Sequence, residues 1–256
     1  MFKSAGIQSL CILFACSALL AEPVAVRHKE GLTHGFLVLR TLEGKTLAAG
    51  DLIQVVHDDQ VTAELILHFR DGSLHDETTV YSQRSAFRLI SDHLVQKGPS
   101  FPHAMEVMID TTKSEFTVHY ADKGEEKVES QQVEMPEDLA NGLMLALVKN
   151  IEPDAPQTVV SMVAATPKPR VVKLLISPGG KHSFSTGGSP RIATGFVIKV
   201  EIGGVAGIIA PLVGKKPSDT HIWICEGAAP TFLRFEGALF EGGPIWRIEL
   251  ANVVWH

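Results

Sequence analysis

One stretch, residues 136–150, constrains the fold more than any other. It reads PEDLANGLMLALVKN and contains six consecutive apolar residues at positions 143–148. A surface helix normally shows one apolar stripe, so a helix that is apolar all round over this part must be surrounded by other elements. Pro136 suits the first helical turn, Glu137 the positive end and Lys149 the negative end. The pattern predicts a buried helix over residues 136–150.

Short alternating segments, separated by turn residues, fill the rest of the chain. In residues 116–120 apolar and polar side chains alternate, as in a strand with one buried and one wet face. Asp71-Gly72 is a hairpin signal, because this pair tolerates the positive φ of tight turns. Such spacing is typical of an antiparallel meander. The predicted strands cover residues 35–41, 51–56, 62–69, 77–81, 86–96, 104–109, 115–120, 127–133, 158–164, 171–176, 193–202, 221–225, 231–235 and 245–254.

These elements together predict a mainly β protein in which a long, curved antiparallel sheet packs around one central α-helix at about residues 136–150. The sheet could form a half-barrel or two layers sharing the helix. A Pro-rich turn at residues 152–156 could mark a domain boundary, but the first half needs the helix as cover and the second half brings none of its own. We therefore expect a single domain over residues 22–256.

The N-terminus has the layout of a secretory signal peptide over residues 1–21. Lys3 precedes an apolar stretch, and Ala21 precedes Glu22-Pro23. The stretch is shorter than the roughly 20 residues that span a bilayer, so no transmembrane anchor should remain after cleavage. We expect export to the periplasm or the cell exterior. As an alternative, residues 13–16 resemble a lipobox, in which Cys16 would carry a lipid.

Charge and cysteine content narrow the class further. The net charge of the chain is −6, which argues against nucleic acid or an anionic membrane surface as the main partner. Cys225 is the one cysteine outside the predicted signal peptide, so no internal disulfide can form. It lies in an apolar run, where a buried inert thiol is expected.

No motif predicts a catalytic residue, a metal or a cofactor. Residues 57–59 and 75–77 each place a histidine beside two acids near hairpin ends, where two turns could converge into a metal site. Neighbours on a strand point to opposite faces, however, so these sets favour turns over ligands. The Gly-Gly-Ser-Pro at residues 187–190 is not the Gly-x-Ser-x-Gly elbow of hydrolases. We expect a protein without catalytic residues, bound metal or cofactor.

A small set of apolar residues forms the candidate ligand-binding site. Some come from the helix, some from the glycine-rich stretch at residues 203–214, and some are aromatic residues of the C-terminal third. The glycine-rich stretch is either a buried loop, a flap over a cavity mouth or a membrane-touching loop, and the aromatic residues either pack a core or line a pocket. The candidates are Leu143, Met144, Leu147, Ile208, Ile209, Trp223 and Trp246.

Four segments, at residues 76–80, 91–102, 138–142 and 242–248, carry a resemblance to a group of uncharacterised exported bacterial proteins of the domain-of-unknown-function kind. The resemblance covers most of the chain after the signal peptide and implies export and a single unit, but no catalytic residue. The expected architecture is also loosely similar to the half-barrels of periplasmic lipoprotein carriers, which hold acyl chains.

We therefore expect an exported, non-catalytic protein that binds an apolar or amphipathic small molecule, such as a lipid, in a β half-barrel cavity. Two alternatives stay open. One is an exported hydrolase or metalloenzyme, and the other is a structural envelope protein with protein partners only.

Overall fold

The computed structural model describes residues 21–122, 124–166, 169–186, 189–201 and 217–251. These residues form fourteen strands and one helix, in agreement with the predicted fold class. Each predicted strand overlaps an observed one, although residue 202 and residues 252–254 lie outside the described ranges. The strands are β1 (Thr33–Thr41), β2 (Thr46–His57), β3 (Gln60–Phe69), β4 (Leu74–Gln83), β5 (Phe87–Lys97), β6 (Met105–Asp110), β7 (Glu115–Asp122), β8 (Glu125–Gln132), β9 (Thr158–Val163), β10 (Val171–Thr186), β11 (Ser189–Glu201), β12 (Thr220–Cys225), β13 (Thr231–Gly237) and β14 (Trp246–Leu250).

All fourteen strands belong to one antiparallel sheet with the order β8-β7-β6-β5-β4-β3-β2-β1-β14-β13-β12-β11-β10-β9. It consists of two meanders, the N-terminal meander (β1–β8) and the C-terminal meander (β9–β14). They join where β1 pairs with β14, for example through Leu39 and Ile248. The sheet is not closed, so β8 and β9 are its edges. The first and last strands of the chain therefore lie in the middle of the sheet.

The helix α1 (Met144–Asn150) is shorter than the predicted helix. It ends where the sequence indicates, but the predicted start at residue 136 is wrong. Leu139 forms a parallel bridge with Ser161 of β9, and the Ala140 N–H donates to the Ser161 carbonyl at 2.8 Å. Gly142 then adopts a φ of +63°. Strand-like pairing and a left-handed residue are incompatible with an α-helix, so the helix begins only after them.

Residues 133–150, the crossing segment, run from edge strand β8 past edge strand β9 and across one face of the sheet. At Gly142 the segment touches the N-terminal meander so closely that a Cβ would lie 1.8 Å from Thr79 Oγ1. The helix itself packs against β12 and β13 of the other meander. Strands far apart in the sheet order thus contact one short segment, so the sheet curves around it. Leu143, Leu147 and Val148 are at most 2% exposed, as predicted for an enclosed helix.

The face of the sheet that meets the crossing segment is called the inner face, and the opposite one the outer face. A single large apolar cluster fills the inner face and includes residues of both meanders and of the helix. A small second cluster of Ala193, Cys225 and Leu233 lies on the outer face. Near the helix end, Asn150 Oδ1 accepts hydrogen bonds from the backbone N–H groups of Arg27 and His28, at 2.8 and 2.7 Å. The segment before β1 is thereby fixed to the helix.

Candidate functional site

A row of side chains crosses the inner face of the N-terminal meander. Its members, the inner row, are cross-strand partners on β2 to β6, namely Leu52, Leu65, Glu77, Leu94 and Val107. All but Val107 are half-buried, although the three leucines pack against the main core. The inner row is therefore an apolar surface that remains partly accessible, with a single carboxyl group in the middle.

Polar side chains flank that carboxyl on the same face. His75, Glu77 and Thr79 alternate along β4, so they point to one side. Asp92 and Gln96 on β5 are the cross-strand partners of Thr79 and His75. These five residues are the inner polar stripe.

Hydrogen bonds satisfy both ends of the inner polar stripe. The Thr79 hydroxyl donates to Asp92 Oδ1 at 2.9 Å. Gln96 Nε2 lies 3.0 Å from His75 Nδ1 and donates to the Leu239 carbonyl at 2.7 Å. Because Gln96 Nε2 is a donor, His75 Nδ1 accepts and its proton resides on Nε2. Glu77 lies between these bonded pairs.

Burial controls the charge of this stripe. It raises the pKa of Glu77, and the negative charge of Asp92 raises that pKa further. Burial also raises the pKa of Asp92, against the opposing effects of the Thr79 hydrogen bond and the charge of His93. Burial lowers the pKa of His75 to about 4, so this imidazole is neutral at neutral pH. Within the described ranges neither acid forms an ion pair. Glu77, whose pKa is raised to about 8, therefore tends to retain a proton at neutral pH.

The structure brings only some of the predicted site residues together. Leu143, Leu147 and Trp246 are buried in the main core, and Met144 is half-buried beside them. Trp246 packs against the rings of Phe69, Phe101 and Phe240, with centroids 5.5, 6.2 and 6.0 Å away. These residues fill the interior.

The other predicted site residues are not part of that interior. Trp223 lies on the outer face, against the small second cluster. Ile208 and Ile209 lie outside the described residues.

Two cavities border the described part of the sheet. One, of about 270 Å³, lies between residues 22–25 and the end of the helix at residues 150–152. The other, of about 170 Å³, lies beside Trp223 on the outer face. Neither is lined by Leu143, Met144 or Leu147. The inner row is an apolar surface of the inner face that stays partly accessible.

A serine, a lysine and an aspartate meet at edge strand β9. Lys173 Nζ donates to Ser161 Oγ at 2.6 Å, and Ser161 Oγ donates to Asp138 Oδ2 at 2.8 Å. These are residue types that activate a nucleophile. Ser161 is 0% exposed, however, so its oxygen cannot reach a substrate. The arrangement instead holds the crossing segment on β9, next to a pair of hydrogen bonds between Asn141 and Val163 at 2.9 Å each.

Sequence reasoning missed the inner polar stripe. It treated residues 75–77 as a possible turn site, whereas the structure places His75 and Glu77 on the inner face of a strand and Asp76 on the outer face. The available signal was a polar residue at every second position, 75, 77 and 79, of which 77 and 79 lie within the predicted strand at residues 77–81. The partners Asp92 and Gln96 became visible only through the strand register.

Two further properties concern the described residues alone. Within them no group of three or more His, Cys, Asp or Glu side chains is arranged to hold a metal ion. No helix in the same ranges has the length and apolar character needed to cross a membrane.

The fold is similar to that of a solved β-barrel-like protein of a domain of unknown function, DUF1849, from Brucella abortus. The two chains are 10% identical, the match covers 90% of this chain and 100% of the other, and the TM-score is 0.46. That protein is of the uncharacterised β-rich kind that the sequence resembles. No family model matches the chain, and the comparison with curated proteins gives no match.

Proposed function

We propose that this is an exported, non-catalytic protein that binds an apolar or amphipathic small molecule on the inner face of its open sheet. The observation that carries the proposal is the inner row, in which Leu52, Leu65 and Leu94 stay partly accessible around Glu77. Binding sites for small molecules typically combine such an apolar surface with few polar groups that fix orientation.

Burial of apolar surface supplies the driving force. Fully covering a leucine side chain is worth about 1.5–3 kcal/mol relative to leaving it exposed. Each of the three leucines is only partly covered by the protein, so an acyl or alkyl chain laid along the inner row would gain part of this free energy at each of them. The row runs perpendicular to the strands and would hold an extended chain.

Glu77 sets the polar requirement of the ligand. Because its raised pKa favours the protonated form, it can donate a hydrogen bond to an acceptor. An alcohol, ester or amide headgroup would therefore be recognised better than a strongly charged one. His75 and Asp92 already have partners in Gln96 and Thr79, so they are less available to a ligand than Glu77.

Titration with fluorescent acyl probes tests the proposal. The probes are a fluorescent fatty acid, its methyl ester and its alcohol. The wild type should show saturable binding of at least one of them. Leu94→Trp places a larger side chain on the inner row and should weaken binding at least tenfold. Val128→Trp is the matched control, since Val128 is 62% exposed on edge strand β8, and should change affinity less than twofold.

Two results would overturn the proposal. One is the absence of saturable binding to every probe, in which case a structural role with protein partners becomes the better account. The other is equal affinity of the Leu94→Trp and Val128→Trp variants, each with unchanged circular dichroism, because the bound probe would then lie elsewhere.

Export needs its own measurement. N-terminal sequencing of the protein from its natural host should find a chain that begins at Glu22, after cleavage at Ala21. A lipid-modified Cys16 would establish the lipoprotein alternative, and soluble protein that retains Met1 would contradict export by this route.

A further inference from the structure

The cavity of about 170 Å³ on the outer face, here called the recess, is separate from the inner row. It lies on β10, β11 and β12 of the C-terminal meander. Its walls include the rings of His182, His221 and Trp223, and its floor includes Gly179 and Gly195. His221 stacks on Trp223 with centroids 5.8 Å apart, and His182 meets Trp223 edge-on at 6.0 Å. The recess is thus built from three rings around a glycine floor.

Two ring nitrogens converge above that floor. Gly195 is the cross-strand partner of Trp223. A Cβ at Gly195 would lie 3.1 Å from His182 Nε2 and 3.2 Å from Trp223 Nε1, so a glycine is what leaves room for both rings. Among the described residues neither nitrogen has a hydrogen-bond partner. An indole N–H is a donor, and an imidazole nitrogen is a donor or an acceptor.

The lining carries no carboxylate, lysine or arginine. The guanidinium of Arg234, the cross-strand partner of Trp223, lies 5.8 Å from the centre of the Trp223 ring. It donates to Glu249 Oε1 from Nε at 2.9 Å and lies 4.9 Å from the centre of the Phe184 ring. Because this charge is already paired, the recess does not select a charged ligand.

We propose that this recess binds a single uncharged sugar ring, either a free hexopyranose or one hexopyranose unit of a glycan. The volume suits one six-membered ring. Neighbouring sugar hydroxyls both donate and accept, which matches an indole N–H beside an imidazole, while the C–H faces of the sugar pack on the aromatic walls. A purely aromatic ligand would leave both ring nitrogens unpaired, and a carboxylate would find no lysine or arginine among the lining residues.

Saturation-transfer NMR and calorimetry on the full chain without its signal peptide test this assignment. The probes are the methyl glycosides of glucose, galactose and N-acetylglucosamine, with benzoate and cyclohexylmethanol as ring-sized comparisons. At least one glycoside should bind saturably, and benzoate and cyclohexylmethanol should bind at least tenfold more weakly. Tighter binding of an oligosaccharide than of its methyl glycoside unit would identify a glycan as the source of the ring.

Variants locate the site. His182→Ala changes an exposed residue, so the fold should be retained, and it should weaken glycoside binding at least tenfold. Trp223→Phe keeps an aromatic ring but removes the N–H donor, and a similar loss is expected. His57→Ala is the matched control, because His57 is exposed at the far hairpin between β2 and β3, and it should bind as the wild type does.

The assignment fails if no glycoside binds, if benzoate binds better than every glycoside, or if His182→Ala binds as tightly as His57→Ala. Leu94→Trp should leave glycoside binding unchanged. The test of the recess is therefore independent of the inner-face proposal, since the recess and the inner row lie on opposite faces and on different meanders.

Discussion

One pair of acidic side chains from each meander can be compared, because the two pairs lie on opposite faces and have different partners. In the C-terminal meander, Glu236 and Glu249 lie on the outer face and pair with arginines of the neighbouring strand, Arg247 and Arg234, at 2.7 Å each. In the N-terminal meander, Glu77 and Asp92 lie on the inner face near one another and, within the described ranges, form no ion pair. Paired acids at a surface contribute modestly to stability, whereas unpaired buried acids cost stability.

This difference between the two pairs of acids bears on which face of the sheet is the functional one. Cross-strand ion pairs on the outer face are a common way to stabilise an antiparallel sheet. Two acids kept inside without a counter-charge oppose folding, and such groups are concentrated at binding and catalytic sites. The contrast therefore supports the inner face of the N-terminal meander, rather than the outer face of β13 and β14, as the ligand-binding surface.

The largest effect is expected where the crossing segment touches the N-terminal meander. Gly142→Ala introduces a Cβ 1.8 Å from Thr79 Oγ1 at a φ of +63°, and strain plus overpacking should cost about 4 kcal/mol. Urea unfolding measures this. Gly242→Ala is the matched control, because Gly242 has a φ of +71° with open space around it, and should cost only about 1 kcal/mol. Equal costs would show that the close approach is unimportant.

A somewhat smaller effect is expected where the helix meets the C-terminal meander. Leu147 is 2% exposed, and Leu147→Ala should destabilise the protein by roughly 2–5 kcal/mol through lost burial and the cavity left behind. Leu32 is 82% exposed, so Leu32→Ala should change the free energy of unfolding by less than about 0.5 kcal/mol. If the two variants unfold at the same urea concentration, the helix is not enclosed in solution.

Replacing an acid by its amide should stabilise the protein at the inner face of the N-terminal meander and destabilise it at the outer face of the C-terminal meander. The pKa of Glu77 is raised in the folded protein from 4.5, so the folded state holds its proton more tightly and wild-type stability falls as pH rises through the raised value. Glu77→Gln removes this loss and should be more stable than the wild type at pH 9, by about 1–3 kcal/mol. Glu236→Gln breaks outer-face ion pairs and should be less stable, by about 0.5–1 kcal/mol.

Chemical denaturation between pH 6 and pH 9 distinguishes these outcomes. The stability difference between Glu77→Gln and the wild type should grow from pH 6 to about pH 8, the raised pKa of Glu77, and level off above it. If both variants are destabilised alike at every pH, the proposed contrast between the faces does not exist.

The smallest effect concerns the histidine of the inner polar stripe at low pH. Burial lowers the pKa of His75 to about 4, so the folded protein loses stability as pH falls from the ordinary histidine range through that value. His75→Gln replaces the titratable imidazole by an amide that can still bond Gln96. The loss of stability between pH 6.5 and pH 4 should then be smaller than in the wild type by roughly 1 kcal/mol. Acid unfolding of His75→Gln and of the control His57→Ala, monitored by circular dichroism, measures this difference. An identical acid transition in both variants would contradict the burial of a neutral imidazole.

The strands could be predicted from the sequence because their signals are local. Alternation as in residues 116–120 and the turn at Asp71-Gly72 depend on neighbours only. The start of the helix could not be predicted, because residues 136–138, which carry the helix-start signals, lie outside the helix. Asp138 bonds Ser161, which lies 23 residues away in sequence, and such a non-local contact overrides the local preference.

The site was harder to predict than the fold for the same reason. Glu77 and Asp92 are conspicuous only once the register of β4 and β5 places them diagonally across from one another on the inner face. The predicted ligand residues Leu143 and Leu147 were chosen for their apolar character, and the structure uses them to fill the core. Apolar character alone does not distinguish a core residue from one that contacts a ligand.

The most direct test of this account is a methyl NMR titration of leucine-labelled protein with a spin-labelled acyl probe. The account predicts saturable broadening of the Leu52, Leu65 and Leu94 methyl signals, which belong to the inner row, with little change at Leu233 on the outer face. Broadening at Leu233 without broadening of the inner row, or no saturable broadening at any leucine, would contradict the claim that the inner face of the N-terminal meander binds the ligand.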